Sequence, residues 1–168
     1  LALAPNEACY IPVGHGGAAK PGEFDLAGGG ERPKQIALKD AVAALKPLLA
    51  DPAVLKIGHN LKYDMEIFAR YDLTVAPIDD TMLISYVLES GIHGHGMDEL
   101  SSLHLGHQTI KLSDVAGSGK DQITFDRVAL DKARDYAAED ADVTLRLHQM
   151  LKPRLVTEHL VSVYETIE

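Results

Sequence analysis

A tyrosine and an aspartate lie on the predicted core-facing stripe of a long helix near the end of the chain. The helix is predicted over about 126–151, and its stripe consists of Ala129, Ala133, Tyr136, Asp140, Val143 and Leu147. Tyr136 precedes Asp140 by one helical turn, so the two side chains project from the same face. Because a buried, unpaired carboxylate is costly, Asp140 needs a partner. Either it makes a structural hydrogen bond with Tyr136 or an arginine, or the two residues together position a water beside a metal ion.

A second predicted helix, at about 60–71, repeats this pattern. Its stripe consists of Leu61, Asp64, Ile67 or Phe68, and Tyr71. Asp64 therefore lies on the apolar face, just beyond a short buried strand predicted at 54–58, and ligands gather at such strand ends in α/β folds. Asn60 is predicted to be the N-cap of the helix. Two carboxylates of this kind, on elements that could meet, indicate a divalent metal site with oxygen ligands.

The elements that must position these residues alternate between helix and strand, which predicts a single α/β domain over residues 1–168. The other predicted elements are a strand at 10–13, a Gly- and Pro-rich loop at 14–33, a helix at 35–49 ended by Asp51-Pro52, a strand at 75–78, a helix from Asp79/Asp80 to about 88, a short helix at 97–105, an irregular segment at 106–124 and an end of the long helix near Pro153. Asp79 and Asp80 are interpreted as helix caps.

Composition limits the classes of protein that are possible. The 168 residues suit one hydrophobic core, and no apolar run reaches the roughly 18–20 residues of a membrane span. The single cysteine, Cys9, is predicted to be a core residue, and the absence of a disulfide framework favours the cytoplasm. The net charge of −9 argues against a basic nucleic-acid-binding face. An enzyme that holds metal ions against phosphate is, however, also rich in carboxylates.

Four histidines lie in and after a Gly-rich loop and invite a zinc interpretation. They are His93, His95, His104 and His107. Their spacing matches no established zinc motif, and no cysteine is nearby. We therefore expect a solvated loop.

Two runs of residues resemble known exonuclease motifs. Gly58–Asp64 (GHNLKYD) resembles the second motif of the 3′→5′ proofreading exonuclease domains of bacterial DNA polymerase I, and Tyr136–Thr144 (YAAEDADVT) resembles the third motif in its tyrosine-containing, DEDDy form. Further segments fit the same family in the same order: Asp80–Leu83, Met97–Leu100, Ala116–Lys120 and Thr124-Phe125. The resemblance extends from about Cys9 to the end of the chain.

This resemblance implies a ribonuclease-H-like fold, a mixed sheet flanked by helices. It also implies two-metal hydrolysis, with Mg²⁺ or Mn²⁺, of a single-stranded DNA 3′ end. The polymerase domain is expected C-terminal to this chain in the parent protein. By analogy, Asp140 binds the metal that activates water, Tyr136 orients that water, and Asp64 serves the second metal. Residues implied to lie near the substrate are Asn60, Lys62, Tyr63 and Leu112, the last in place of a larger wedge side chain that the family often has.

The sequence departs from the family at its first motif, an Asp-x-Glu on the first strand, which has no match here. We therefore expect the first central strand to be absent from this chain and the chain alone to be inactive. Two alternatives remain: a catalytically incomplete scaffold domain of a polymerase, and an exoribonuclease similar to ribonuclease D. The run HNLKYD favours the proofreading interpretation.

Overall fold

Two short pairs of strands form the sheet elements of the fold. Strands β1 (Ala2–Ala4) and β2 (Glu7–Ala8) are antiparallel, whereas β3 (Lys56–Gly58) and β4 (Ile78–Asp80) are parallel. The structure, a computed structural model, describes residues 1–16 and 33–167, and within these ranges the two pairs form separate sheets. Both kinds of strand pairing that a mixed sheet requires are therefore present.

Helices cover these sheets and form most of the described chain. They are α1 (Leu38–Ala50), α2 (Leu61–Ala69), α3 (Thr81–Glu89), α4 (Met97–Leu100), α5 (Leu112–Ala116), α6 (Leu130–Thr157) and α7 (Val161–Ile167). A π-helix, Ser101–Leu105, continues α4 directly, and short 3₁₀ turns lie at Gly119–Asp121 and Phe125–Arg127. Helix α6 contacts both β1 and β3, so it connects the two sheets.

The main hydrophobic core lies between α3, α6 and α7. Its fully buried members are Ile84, Leu100, Val143, Leu147, Leu151, Leu155 and Tyr164. Four of them recur every fourth residue along α6, which is the stripe expected of a helix packed on one face. Burial of each aliphatic side chain stabilises the fold by about 1.5–3 kcal/mol. The predicted stripe is confirmed at Ala133, Val143 and Leu147, while Tyr136 and Asp140 are half-buried.

Several predicted boundaries were wrong. Pro153 does not end the long helix, because α6 continues to Thr157 and buries Leu151 and Leu155 on either side of that proline. The packing of these leucines offsets the hydrogen bond that a proline removes. The predicted strand at 10–13 is not a strand, the segment predicted to be irregular contains α5, and Cys9 is exposed rather than in the core. The predicted loop at 14–33 lies mostly outside the described residues.

A buried ionic cluster around Asp79 fixes β4 to α6 and α7. One Asp79 oxygen accepts a hydrogen bond from His148 at 2.6 Å, and the other accepts from Lys152 at 2.6 Å and from the Tyr164 hydroxyl at 3.2 Å. Burial alone raises the pKa of Asp79, but the hydrogen bonds from Lys152 and His148 outweigh it, so the net pKa is lowered. Asp79 is therefore not a helix cap, as the sequence suggested, but the centre of a cluster that joins three elements.

We expect Asp79→Ala to lower the free energy of unfolding by about 3 kcal/mol at pH 7, since it leaves His148 and Lys152 without their carboxylate. The folded pKa lies below the unfolded value of about 3.9, so the stabilisation is present above that value and is lost as pH falls through the folded pKa. Urea denaturation at pH 7 and across the acid range measures both effects. The control is Asp135→Ala, which removes an exposed ion pair with Arg134 and should cost less than about 1 kcal/mol. Equal losses in the two variants would contradict the assignment.

Candidate functional site

One buried carboxylate holds the N-termini of two helices beside the β3–β4 pair. Asp80 Oδ1 accepts hydrogen bonds from the backbone N–H groups of Asn60 at 3.0 Å and Met82 at 2.8 Å, and Oδ2 accepts from Leu61 N–H at 2.7 Å. A negative charge at a helix N-terminus is favourable, and here it serves α2 and α3 together. The prediction that Asp80 is a cap is confirmed. Asn60 occupies the N-cap position of α2, but its side chain makes no capping bond.

The turn from β3 into α2 is tight. A Cβ atom on Gly58 would collide with the side chain of Leu61, which is buried against it. Asn60 adopts the left-handed conformation with φ 60°, which asparagine tolerates better than most residues. The Thr81 hydroxyl donates to the Gly58 carbonyl at 3.1 Å and lies 2.9 Å from His59 Nδ1, so the turn is also held from α3. The first turn of α2 is thereby fixed relative to the strand ends.

This first turn presents Lys62, Tyr63 and Asp64 to solvent, and the Tyr63 residue is 65% exposed. The prediction that Asp64 lies on the buried face was wrong, because Leu61 alone in this helix is fully buried and the Asp80 bonds set the helix rotation. Although the Asp64 carboxylate reaches solvent, partial desolvation raises its pKa, and the negative charge of Asp80 adds to the effect.

A second group of carboxylates surrounds Asp140 on α6. The Tyr136 hydroxyl lies close enough to the Asp140 carboxylate for each group to shift the pKa of the other. Burial raises the pKa of Asp140 to about 6, and the charges of Glu139 and Asp98 add to the increase, while the Tyr136 hydroxyl opposes it. Burial, and then the charge of Asp140, raises the pKa of Tyr136 to about 12, so its hydroxyl remains protonated at neutral pH. The carboxylates of Asp98, Glu139 and Asp140 therefore influence one another here.

Glu139 and Asp98 hold the segment that precedes α5. The Glu139 carboxylate contacts His107 Nε2 at 2.8 Å and accepts from the Ile110 N–H at 2.6 Å. Asp98 accepts from the Thr109 hydroxyl at 2.7 Å. Neither carboxylate was predicted from the sequence to have a role. Two features of the sequence could have indicated these carboxylates. Glu139 is adjacent to Asp140, and Asp98 lies in a segment that resembles the family.

An aromatic cluster positions Tyr136 beside a cavity. The Tyr136 ring lies 5.8 Å from that of Phe125, which in turn lies 6.3 Å from Tyr10 and 6.1 Å from His15, between ring centroids. A cavity of about 330 Å³ is lined by Leu112, Ala116, Gln122, Ile123, Thr124 and Phe125. Leu112, at the start of α5, thus shares this cavity with Phe125, whose ring contacts Tyr136.

The predicted site residues form two half-sites. The Asp140 half-site comprises Tyr136 and Asp140, with Leu112 in the adjoining cavity, and the Asp64 half-site comprises Asn60, Lys62, Tyr63 and Asp64. Their supporting elements meet at β3, because α6 contacts this strand and α2 follows it. The largest electrostatic influences on the two aspartates come from different neighbours, Asp80 in one case and Glu139 and Asp98 in the other.

The chemistry of both half-sites fits a hard divalent cation. Carboxylate oxygens are the donors that Mg²⁺ and Mn²⁺ prefer. Burial is the largest cause of the raised pKa values of Asp64 and Asp140, and neighbouring carboxylates add to it. Asp79, which has lysine and histidine partners, shows the opposite shift.

Comparison with known proteins identifies the family. Residues 3–156 match the family described as 3′-5′ exonuclease. The chain belongs to this exonuclease family. It is 54% identical to DNA polymerase I of Rhizobium leguminosarum over 100% of the chain, and 45% identical to DNA polymerase I of Pseudomonas aeruginosa over 92% of the chain. It spans 17% and 16% of the length of these two relatives, so it corresponds to one part of a much longer protein in each.

Solved structures support the fold. A structure described as the apo form of a nuclease superposes with a TM-score of 0.61 at 22% identity, over 73% of this chain and 57% of that one. Brucella melitensis NrnC gives a TM-score of 0.59 at 22% identity, over 80% of this chain and 59% of that one. The family resemblance and the ribonuclease-H-like fold class expected from the sequence are confirmed. Among the described residues, no helix is long and apolar enough to cross a membrane.

We expect Asp80→Ala to lower the free energy of unfolding by about 2–3 kcal/mol, because three backbone N–H groups lose a charged acceptor. Hydrogen exchange should accelerate most at the amides of Asn60, Leu61 and Met82. Asp131→Ala is the matched control, since this aspartate is exposed in the first turn of α6. Unchanged exchange in the first turn of α2 would show that Asp80 does not hold this helix.

Proposed function

We propose that this chain is the proofreading part of a DNA polymerase and removes nucleotides from single-stranded DNA 3′ ends by metal-dependent hydrolysis. The observation that carries the proposal is the Tyr136–Asp140 pair, set near the carboxylates of Glu139 and Asp98 in a chain of the 3′-5′ exonuclease family. The acidic character of the protein agrees with this function, since metal ions supply the positive charge that faces the phosphate.

Asp140 and Asp64 are the residues that would hold two divalent ions, Mg²⁺ or Mn²⁺. Such ions supply two effects when bound: they lower the pKa of water to give a nucleophile, and they stabilise the leaving oxygen. Asp140 is shielded and already carries a raised pKa, so exchange of a proton for a cation there relieves electrostatic repulsion. Asp64 is more open, which suits a carboxylate that acts partly through bound waters.

Tyr136 orients the attacking water. Its hydroxyl stays protonated at neutral pH, and its ring is held against Phe125, so the oxygen has a fixed position beside Asp140. A fixed donor–acceptor group of this kind aligns a water for in-line attack on phosphorus. Removal of the hydroxyl alone therefore weakens positioning but leaves the carboxylate in place.

The substrate lies between the two half-sites in this proposal. Tyr63 offers an exposed ring on which a base can stack, and Lys62 and Asn60 lie in the same helical turn, close to where the terminal phosphates would be. Leu112 contacts the terminal base from the side of the cavity next to Phe125. An aliphatic side chain gives weaker stacking than an aromatic wedge would, which favours frayed ends over paired ones.

The number of carboxylates sets a condition on activity. Each divalent ion takes several oxygen ligands, and Asp64 and Asp140 supply few of those that two ions need. We therefore expect the 168-residue polypeptide by itself to bind metal weakly and to trim DNA poorly, as a scaffold domain would.

The second candidate function is that of an exoribonuclease. It is favoured by 34% identity to ribonuclease D of Granulibacter bethesdensis, over 70% of this chain and 28% of that protein.

In the full-length natural protein that contains these residues, we expect Asp140→Asn to reduce the rate of 3′-end trimming by about 1,000-fold or more. The reason is that the substitution removes a metal ligand. Tyr136→Phe should cost about 10–100-fold, since it removes one positioning hydroxyl. A labelled-primer degradation assay measures both rates, and Tyr71→Phe, an exposed tyrosine at the end of α2, is the control. Retention of most activity by Asp140→Asn would refute the site assignment.

The same protein should bind single-stranded DNA more tightly with Mg²⁺ or Mn²⁺ than with EDTA, because the ions offset the repulsion between phosphate and carboxylates. Fluorescence anisotropy with a single-stranded DNA, an RNA of the same sequence and a blunt duplex measures this. Tighter binding and faster trimming of the RNA would favour the exoribonuclease. Equal DNA binding in EDTA would count against a metal-dependent site.

A further inference from the structure

A glutamate and two histidines, none of them a residue of the two half-sites, converge where α3 ends. Glu89 Oε2 lies 2.7 Å from His93 Nε2 and 3.1 Å from His104 Nε2, and the three atoms lie within 4.8 Å of one another. The side chains are between 13% and 16% exposed. The turn that carries His93 is largely exposed, as the sequence predicted, but the side chains of His93 and His104 both contact one carboxylate oxygen.

We propose that Glu89, His93 and His104 form a binding site for a single Zn²⁺ ion, separate from the oxygen-ligand site of the exonuclease chemistry. Two imidazole nitrogens and one carboxylate oxygen form an established zinc ligand set, with a fourth position open to water. The same donors suit Mg²⁺ poorly, because that ion prefers oxygen ligands alone. The proposal does not depend on the proposed function.

The orientations of His93 and Glu89 support metal binding. His93 Nδ1 lies 2.6 Å from the Gly94 carbonyl, which directs its other nitrogen, Nε2, towards Glu89. Metal-bound histidines have this arrangement, with one ring nitrogen donating to a backbone carbonyl and the other free for the ion. The second Glu89 oxygen accepts a hydrogen bond from Arg154 at 2.6 Å, so the carboxylate presents only Oε2 to the histidines.

The charge and spacing of the cluster also suit a divalent ion. The Glu99 carboxylate lies near His93, and the Arg154 guanidinium is shared between Glu89 and Glu158. A tetrahedral ion with bonds of about 2.0–2.2 Å separates its ligand atoms by about 3.4 Å. The two distances from Glu89 must widen by less than about 1 Å to reach this value, which side-chain rotation provides.

An ion at this site would join three segments that are distant in sequence: the end of α3, the turn at 91–96 and the π-helix. The Ser101 hydroxyl in the π-helix donates to the His107 carbonyl at 2.9 Å, and His107 contacts Glu139, the neighbour of Asp140. Zinc would therefore stabilise the wall of the Asp140 half-site without entering it.

The test uses metal-stripped protein that carries Asp64→Asn and Asp140→Asn, which remove the other candidate ligands. Isothermal titration calorimetry measures Zn²⁺ binding. Thermal melting with and without Zn²⁺ measures the effect of the ion on stability. His93→Gln and His104→Gln each keep a hydrogen-bond donor towards Glu89 but lose the imidazole ligand. His159→Asn is the control, because His159 is exposed and has a left-handed backbone that asparagine accepts. Circular dichroism without metal verifies that every variant is folded.

We expect one zinc equivalent, a rise in melting temperature with zinc, and no comparable effect of Mg²⁺. Both glutamine variants should weaken zinc binding by more than about 100-fold, since loss of even an outer-shell partner costs 10–100-fold. The His159→Asn variant should match its parent. The proposal would be overturned if zinc showed no saturable one-to-one binding, or if the glutamine variants bound zinc as their parent does. Either result would show that only hydrogen bonds join the three side chains. Neither result bears on nuclease activity.

Discussion

The hydrogen bonds of Asp80 to two helix N-termini fix the geometry on which the Asp64 half-site depends. One carboxylate accepts from Asn60, Leu61 and Met82, so α2 and α3 cannot move independently of β4 or of each other. These hydrogen bonds fix the position of the turn that carries Lys62, Tyr63 and Asp64. The charge that holds the turn also raises the pKa of Asp64, so the structural carboxylate and the candidate ligand are coupled electrostatically.

The four key aspartates differ in what surrounds them. Adjacent strand residues point to opposite faces, so Asp79 turns towards α6 and α7 while Asp80 turns towards the helix N-termini. Asp79 has lysine and histidine partners and a lowered pKa, whereas burial and neighbouring carboxylates raise the pKa values of Asp64 and Asp140. The opposite pKa shifts therefore follow from the partners of each aspartate and from its burial.

Helix α6 combines stability and chemistry in one element. Its leucines fill the core between α3 and α7, and its N-terminal half carries Tyr136, Glu139 and Asp140 against β3 and the segment before α5. The rigidity that the core gives the helix is transmitted to the half-site, since the two regions are consecutive turns of one continuous helix. Arg154, near the other end, reaches the Glu89 cluster.

Local patterns in the sequence were enough to determine most helices, the pairing of Tyr136 with Asp140, and the family. Helical periodicity and motif order are properties of neighbouring residues, so they can be read without a fold. The tertiary structure alone decided that Asp80, not the Asn60 side chain, caps α2, and that Glu89 meets His93 and His104. The bonds of Asp80 to Asn60 and of Glu89 to His104 join residues 20 and 15 positions apart. Such contacts depend on how helices and turns pack, and no periodic signal along the chain records them.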